Sequence, residues 1–253
     1  MIDLWRPPYR IPWLKTSQAL AAEGWPHGWT NGRGPDFYPD PVSDRQSEAM
    51  GELTEVVDLT AVAWAKQIHG ATVLKAEVPG CIGEADALWT DRPGLGVAGR
   101  SADCPLILIA CRRDDGTGIW GFAHASWRST LAGVTTNLLE ALATAGASPH
   151  RMTAFICPSA GPCCYEVGTE VRMAMAARYN ELADSWFGER NGRLILDLWQ
   201  ANSTLMIEAG IPATNIHRAD TCTICTSDYP SYRRDGPGAS RFAAVIGALD
   251  PRA

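Results

Sequence analysis

Short apolar segments rich in valine, isoleucine and leucine alternate with stretches of helical spacing from about residue 55 onward. The segments that this pattern predicts as strands are 56–70, 71–78, 95–111, 119–125, 152–157, 193–196, 215–218 and 241–246. The predicted helices are 133–147, 169–183 and 197–209, with Asp197 as the cap of the last. Mixed strands and helices over one continuous stretch indicate a single α/β or α+β domain.

The N-terminal part of the chain has a different character. Residues 24–44 are rich in glycine, proline and aspartate, which predicts an irregular loop rather than a domain boundary. We therefore expect one domain over residues 1–253 with an irregular segment at about 1–50. A chain of 253 residues can bury a sizeable core without disulfides.

Composition excludes several classes of protein. The longest purely apolar run, about 105–111, is far shorter than the ~20 residues of a membrane-spanning helix. The net charge of −6 and the lack of a basic cluster argue against nucleic-acid binding. The N-terminal sequence MIDLWRPPYRIPW does not resemble a signal peptide, so we expect a cytoplasmic protein. In the cytoplasm, the eight cysteines are expected to be free thiols, metal ligands or nucleophiles.

Three predicted strands end in side chains that can bind a metal ion. These are His69 in QIHG, Cys104 in SADCP and His124 in AHASWR. Two imidazoles and a thiolate suit a catalytic zinc ion, which takes three protein ligands and keeps a fourth position open. His69 and Cys104 are 35 residues apart, and Cys104 and His124 are 20 residues apart. These separations do not distinguish a metal site from a structural role, because hydrogen-bonded structural histidines and a buried cysteine would give the same pattern.

The order of the motifs resembles the laccase-domain, or polyphenol-oxidase-like, family, which is also labelled purine nucleoside phosphorylase and peptidoglycan editing factor. The segments that carry the resemblance are QIHG, EADALWTDRPGLGVAGRSADCPLILIA, GFAHASWRSTLAGV, SAGPCCYEVG and YRRDGPGASR. It implies an α+β or layered α/β fold, with mixed sheets covered by helices on the outside. We expect the strands between about 55 and 125 to form a sheet with the site at its edge. The helices at 133–147 and 197–209 should cover its outer faces.

The resemblance also implies a zinc ion held by His69, Cys104 and His124. The implied activity is phosphorolysis of adenosine, inosine, guanosine and methylthioadenosine to the base and ribose 1-phosphate, with adenosine deamination at the same site. The chain departs from the usual HAGWRG motif, because Ser126 and Ser129 replace glycines.

Phosphate and purine binding call for arginines and an aromatic ring near these ligands. The candidates are Arg33 in an N-terminal turn, Trp127 beside the base, and Arg128, Arg233, Arg234 and Arg241 for phosphate. We expect at least two of the last four arginines to be solvated surface residues. Asp103, next to Cys104, is a candidate to shuttle a proton or to orient a ligand histidine.

Three other functions remain open from the sequence. Cys104 with His69 or His124 as base would make a cysteine hydrolase, for instance one that edits a peptidoglycan precursor. A copper-dependent polyphenol oxidase is disfavoured by only five histidines and no His-x-His pair, although copper would occupy a His₂Cys site adventitiously. A structural zinc fold is disfavoured because structural zinc usually has four protein ligands. The sequence assigns no oligomeric state.

The other cysteines include two close pairs, Cys163-Cys164 and Cys222-Thr223-Ile224-Cys225. A single CxxC without a partner pair is weak support for a metal or redox site. We interpret both pairs as structural thiols.

Overall fold

The computed structural model describes residues 5–8, 11–37 and 43–251. Within these ranges the strands are β1 (Leu14–Lys15), β2 (His27–Thr30), β3 (Ala61–Lys66), β4 (Val73–Lys75), β5 (Gly80–Glu84), β6 (Ala87–Thr90), β7 (Leu95–Ser101), β8 (Leu106–Arg112), β9 (Gly118–His124), β10 (Thr153–Ile156), β11 (Phe187–Arg190), β12 (Arg193–Leu196), β13 (Ile216–Arg218) and β14 (Phe242–Ile246). The α-helices are α1 (Gln18–Ala22), α2 (Asp44–Val56), α3 (Trp127–Ala132), α4 (Val134–Thr144), α5 (Thr169–Tyr179), α6 (Leu198–Glu208) and α7 (Tyr232–Asp235). Short 3₁₀ turns cover Pro149–Arg151, Asn180–Trp186, Ala213–Asn215 and Gly236–Gly238.

Two six-stranded mixed sheets and one hairpin organise the described strands. The first sheet has the order β1-β2-β14-β7-β3-β5, the second has the order β13-β10-β8-β9-β6-β4, and β11 pairs with β12. In the first sheet β3 runs parallel to both β5 and β7. The carboxyl ends of these three strands therefore lie at the same edge.

The two sheets pack face to face around one apolar cluster. Val97 and Phe242 of the first sheet meet Leu108 and Phe122 of the second in this cluster. Gly99 is required here, because a Cβ atom at this position would lie 2.3 Å from the Phe122 ring. A glycine in a strand permits such a close approach between layers.

Helices cover the outer faces of both sheets. The apolar side chains of α4, including Leu138 and Leu142, pack with Ile107 and Ile109 on the second sheet, and Met206 of α6 joins them. On the first sheet, Met50 of α2 belongs to the equivalent outer cluster. The fold is thus a single α+β domain with helices outside paired sheets, as predicted. None of the described helices is long and apolar enough to cross a membrane.

The structure corrects three of the expectations about local order. The strands between 55 and 125 form two sheets instead of one, because the predicted run 95–111 is broken by a turn at 102–105 and continues in the other sheet. Residues 56–60 are not part of a strand, since α2 ends at Val56 and β3 begins at Ala61. The outer face of the first sheet is covered by α2, not by the helices at 133–147 or 197–209.

The N-terminal region is more ordered than the irregular segment predicted for residues 1–50. It contains β1, α1, β2 and the first half of α2, and β2 lies inside the predicted loop 24–44. β2 pairs with β14, more than 200 residues away, through contacts such as Trp29 with Ala244. Local composition cannot reveal such a long-range partner. Residues 38–42 of that loop lie outside the described residues.

His27 in β2 is a buried histidine with both ring nitrogens engaged by the backbone. Its Nε2 accepts the N–H of Ser17 at 2.7 Å, and its Nδ1 donates to the carbonyl of Trp25 at 2.7 Å. Burial, the largest influence, lowers the pKa of His27 from 6.5 to about 4 despite these hydrogen bonds. The ring is therefore neutral in the folded protein at neutral pH.

The His27 pKa predicts a loss of stability in acid. Between pH 6.5 and 4 the unfolded chain binds a proton that the folded chain does not, so the free energy of unfolding should fall by about 3 kcal/mol over this window. Denaturant unfolding at pH 7 and pH 4 measures it. His27→Gln should be less stable at pH 7 but lose correspondingly less on acidification. An equal loss in both proteins would contradict this assignment.

Candidate metal centre and substrate cavity

Three chain crossings between the two sheets meet at one edge of the domain. The segments that connect β3 to β4, β5 to β6 and β7 to β8 each leave the first sheet and enter the second. His69 lies in the first crossing, Asp86 in the second and Cys104 in the third, while His124 is the last residue of β9. The sequence motifs are far apart along the chain, but the paired sheets bring them together.

The side chains of His69, Cys104 and His124 converge. Their ligand atoms all lie within 4.8 Å of one another. His124 is buried, Cys104 is half-buried and His69 is exposed, so the group opens toward solvent on one side. Two imidazole nitrogens and one sulfur fit the donor preference of zinc, with room for a fourth ligand.

Asp86 is the residue that organises this group, and its carboxylate is fully buried. Its Oδ1 accepts hydrogen bonds from the backbone N–H of His69 at 3.0 Å and from Nδ1 of His124 at 2.8 Å. Its Oδ2 accepts the N–H groups of Ile68 at 3.1 Å and Gly70 at 2.7 Å. Burial alone would raise the pKa of Asp86, but the His124 ring and these N–H groups lower it below its usual value.

The Asp86 contact fixes the tautomer of His124. A carboxylate only accepts, so Nδ1 of His124 carries a proton, and Nε2 is the ring nitrogen that can serve as a ligand atom once it is deprotonated. The loop at His69 is held in left-handed backbone geometry, with φ of 59°, which lets three successive N–H groups point at Asp86. One carboxylate thus positions both histidines.

Cys104 and His124 influence each other's ionisation. Burial alone would raise the pKa of the Cys104 thiol, but His124 and His69 outweigh it and lower that pKa to about 7. Burial alone would lower the pKa of His124, but the Cys104 thiolate and Asp86 raise it to about 9. The thiolate is the form that binds metal ions and the form that acts as a nucleophile.

A cavity of about 570 Å³ lies over these three residues. Its volume is in the range of small-molecule sites. Its aromatic walls are Trp127, Tyr165 and Tyr232, and its guanidinium groups come from Arg100, Arg128, Arg233 and Arg241. A groove of about 710 Å³ beside β1 and β13 is larger, but His69, Cys104 and His124 do not line it.

Two of the arginines stack on aromatic rings in the cavity wall. The guanidinium carbon of Arg128 lies 4.4 Å from the centre of the Trp127 ring, and that of Arg233 lies 5.2 Å from the Tyr165 ring. Both arginines are exposed at the cavity mouth. Stacking holds a guanidinium in place and leaves its edge for hydrogen bonds. One N–H of Arg233 donates to the Glu166 carbonyl at 2.8 Å, so only its remaining N–H groups can bind an anion.

Ser126 and Ser129 perform a local structural task. Ser126 is the N-cap of α3, and its Oγ accepts the Ser129 N–H at 3.0 Å and lies 2.7 Å from the Ser129 Oγ. The backbone of Ser126 has φ of −58°, which any residue adopts. The serines therefore fit without distortion where the family usually has glycines.

The structure does not bring every predicted substrate residue to the cavity. Arg33 is not among the lining residues, because its turn is tied to another loop and its guanidinium lies 3.7 Å from Asp228. Arg234 is also absent from the lining. Its guanidinium donates to the carbonyls of Thr223 and Tyr229, both at 2.8 Å, and so braces a loop.

Asp103 lines the cavity but does not contact a ligand histidine in the way the sequence suggested. Its carboxylate accepts hydrogen bonds from Thr223 Oγ1 at 2.6 Å, Ser231 Oγ at 3.1 Å and the Arg233 N–H at 2.7 Å. The carboxylate that orients a histidine is Asp86. Sequence reasoning missed Asp86, although it lies in the EADALWT motif, and it missed Tyr165 and Tyr232 in GPCCYEVG and YRRDGPGASR.

The fold and this group define a class of protein, a single α+β domain with an open His–Cys–His group where two sheets meet. A family model described as multi-copper polyphenol oxidoreductase laccase matches residues 40–249. The chain belongs to this laccase-like family, as its motifs predict.

Relatives cover most of the chain, and a solved structure has the same fold. A protein of Deinococcus radiodurans named purine nucleoside phosphorylase is 33% identical over 95% of this chain and 90% of its own length. Adenosine deaminase RL5, from an unknown prokaryotic organism, is 33% identical over 62% of this chain and 59% of its own length. The crystal structure of the Bacillus licheniformis hypothetical protein YfiH superposes with a TM-score of 0.82 at 23% identity, covering 97% of this chain and 99% of that one.

The role of Asp86 predicts the effect of Asp86→Asn. An amide at this position would present N–H donors to backbone N–H groups and would leave His124 without its carboxylate. We expect zinc affinity to fall by about 10- to 100-fold. Competition with a chromophoric chelator measures the affinity.

Asp91→Asn is the matched control, because Asp91 is also an ion-paired aspartate, bound by Lys75 at 3.2 Å and Arg113 at 2.7 Å. It should leave zinc affinity unchanged. Equal zinc affinity in the Asp86 variant and the wild type would contradict the role assigned to Asp86.

Proposed function

We propose that this chain is a cytoplasmic, zinc-dependent purine nucleoside phosphorylase that also deaminates adenosine. The observation that carries the proposal is the opening of the His69–Cys104–His124 group into a cavity with aromatic and guanidinium walls. The names of the relatives support the same substrates, a purine nucleoside and phosphate. The products would be the free base and ribose 1-phosphate from adenosine, inosine or guanosine, with methylthioadenosine as a further substrate.

The guanidinium groups are suited to the phosphate nucleophile. Phosphate carries up to two negative charges, and an arginine can bind two of its oxygens at once. Arg128 and Arg233 present such donors at the mouth of the cavity, each stacked on a ring. Arg241 lies in the same wall. These residues would hold phosphate beside the ribose and exclude water from the attack position.

The aromatic wall is suited to the purine. Trp127 lines the cavity with Arg128 stacked on its ring, and Tyr165 and Tyr232 add two further aromatic rings to the wall beside which a base can lie. Burial raises the pKa of Tyr165, so its hydroxyl stays protonated and can donate a hydrogen bond. Together these groups would orient the base over the metal-capable group.

His69, Cys104 and His124 would hold the zinc ion, and a bound zinc ion supplies a Lewis acid beside the reacting atoms. Because Asp86 engages Nδ1 of His124, Nε2 is the ring nitrogen that would bind the ion, with loss of its proton. Asp103 holds the backbone of Arg233 through a 2.7 Å hydrogen bond. Its three hydrogen bonds favour a positioning role over proton transfer.

A cysteine hydrolase is the second candidate, and one observation favours it. The lowered pKa of Cys104 beside His124 would also suit a thiolate nucleophile with an imidazole partner, acting for example on a peptidoglycan precursor. A multi-copper oxidase fits less well. His27 is committed to backbone hydrogen bonds, and His150 and His217 are not part of the His69–Cys104–His124 group.

Metal removal separates the first two candidates. With adenosine and phosphate, turnover should depend on phosphate, yield ribose 1-phosphate and some inosine, and disappear on chelation. His69→Ala and His124→Ala should each lose activity together with the zinc ion of this group, because each removes one of its only three protein ligands. Elemental analysis and product chromatography on the same samples provide the readouts.

A cysteine hydrolase would respond differently to these treatments. It would survive chelation and would be inactivated by alkylation of Cys104 in the metal-free protein. Full activity after metal removal, verified by elemental analysis, would reject the zinc mechanism.

The phosphate assignment predicts a specific kinetic change. Arg233→Ala should raise the KM for phosphate by about 10- to 100-fold, since a hydrogen bond to a charged group contributes about 1.5–3 kcal/mol. Steady-state kinetics at varied phosphate measure it. Arg33→Ala is the control, because Arg33 is an exposed arginine outside the cavity lining. Equal effects of the two variants would refute the assignment.

A further inference from the structure

A second group of metal-capable side chains lies apart from the three residues described above. Its members are cysteines from two distant parts of the chain. Cys163 and Cys164 lie between β10 and α5, and Cys222 and Cys225 lie in the turn after β13. The fold brings these two pairs, which the sequence presents separately, within 4.8 Å sulfur to sulfur.

The spacing of the sulfurs matches a tetrahedral thiolate site. Zinc binds thiolate sulfur at about 2.3 Å, so two ligands at tetrahedral positions are about 3.8 Å apart. The Sγ atoms of Cys163 and Cys225 are 3.7 Å apart. A disulfide between them would require about 2.05 Å and would leave two further sulfurs packed against it.

Backbone contacts and one N–H···S hydrogen bond hold the two cysteine segments together. Ser159 forms a parallel bridge with Cys222, and the Thr223 N–H donates to the Ser159 carbonyl at 3.0 Å. The Gly161 N–H donates to Cys222 Sγ at 3.3 Å. N–H groups that point at a sulfur stabilise its thiolate form. The ligand positions are therefore set before any ion binds.

The four cysteines extend from the apolar core to the surface. Cys222 is buried, Cys163 and Cys164 are half-buried and Cys225 is exposed, so the group reaches the surface and a metal ion has a path to it. All four are free of disulfides. Four soft sulfur donors with no open position are the ligand set of structural zinc.

We propose that Cys163, Cys164, Cys222 and Cys225 form a closed structural zinc site, separate from the His69–Cys104–His124 group. Zinc at this position would join the loop before α5 to the turn after β13.

One joined segment lines the cavity, and the other is hydrogen-bonded to a residue that lines it. Tyr165 follows Cys164 directly and lines the cavity wall. Thr223, between the other two cysteines, donates to Asp103 at 2.6 Å, and Asp103 precedes Cys104. The four-cysteine site would thus hold one wall of the cavity in place from behind, without touching a substrate.

The number of zinc ions bound per chain, measured in a background protein that lacks two ligands of the His69–Cys104–His124 group, tests the proposal. In the full chain with His69→Ala and His124→Ala, purified under reducing conditions with zinc supplied, we expect one zinc ion per chain by elemental analysis. Adding Cys225→Ser should remove it. Adding Cys81→Ser, a half-buried thiol outside both groups, should not. No zinc in the background protein, or equal zinc in the Cys225→Ser variant, would overturn the proposal.

Two measurements on the background protein need no cysteine variant. Its cobalt(II) form should show the charge-transfer and ligand-field absorption of four sulfur ligands. Alkylation followed by peptide mass spectrometry should find the four cysteines protected by zinc and modified after chelation, with Cys81 modified equally in both. Equal reactivity of the four cysteines with and without zinc, or a Cys163–Cys225 disulfide in protein without zinc, would refute the site.

Discussion

The buried carboxylate of Asp86 is the interaction on which the rest of the site depends. An ionised carboxylate removed from water is costly unless its oxygens are hydrogen-bonded. Here three backbone N–H groups and the His124 ring satisfy it. The N–H groups belong to the crossing from β3 to β4, the ring belongs to the end of β9, and Asp86 itself lies in the crossing from β5 to β6. The same four hydrogen bonds therefore join these segments and position both histidines. The stability of the domain edge where the crossings meet and the geometry of the His69–Cys104–His124 group therefore depend on the same hydrogen bonds.

The sequence predicts the parts of the fold that local patterns encode. Apolar runs with leucines and isoleucines, such as β8, and the helix that Asp197 caps lie where they are expected. The failures concern information that is not local. β5 has the sequence GCIGE, which lacks the apolar pattern of a strand and is ordered by its pairing with β3. The irregular segment predicted at the N-terminus contains β2 because β14 provides its partner.

The same limit applies to the candidate site. The order of the motifs identifies His69, Cys104 and His124, because ligand residues can be recognised by their residue type. The direction in which a long side chain points cannot be predicted from the sequence. Arg233 and Arg234 are neighbours, yet the first lines the cavity and the second points into backbone carbonyls. Asp103 and Asp86 are both acidic residues near ligand motifs, and only the crossing geometry decides which one reaches a histidine.

The position of β14 has a consequence for biosynthesis. This strand lies between β2 and β7 in the first sheet, so neither neighbour can complete its pairing until residues 242–246 have left the ribosome. Tyr232 and Arg233 of the cavity wall also emerge late. Strand pairing across more than 200 residues is slow to form. The nascent chain therefore carries the exposed apolar edges of a half-built sheet throughout most of its synthesis, and it is during translation that the chain is most exposed to aggregation.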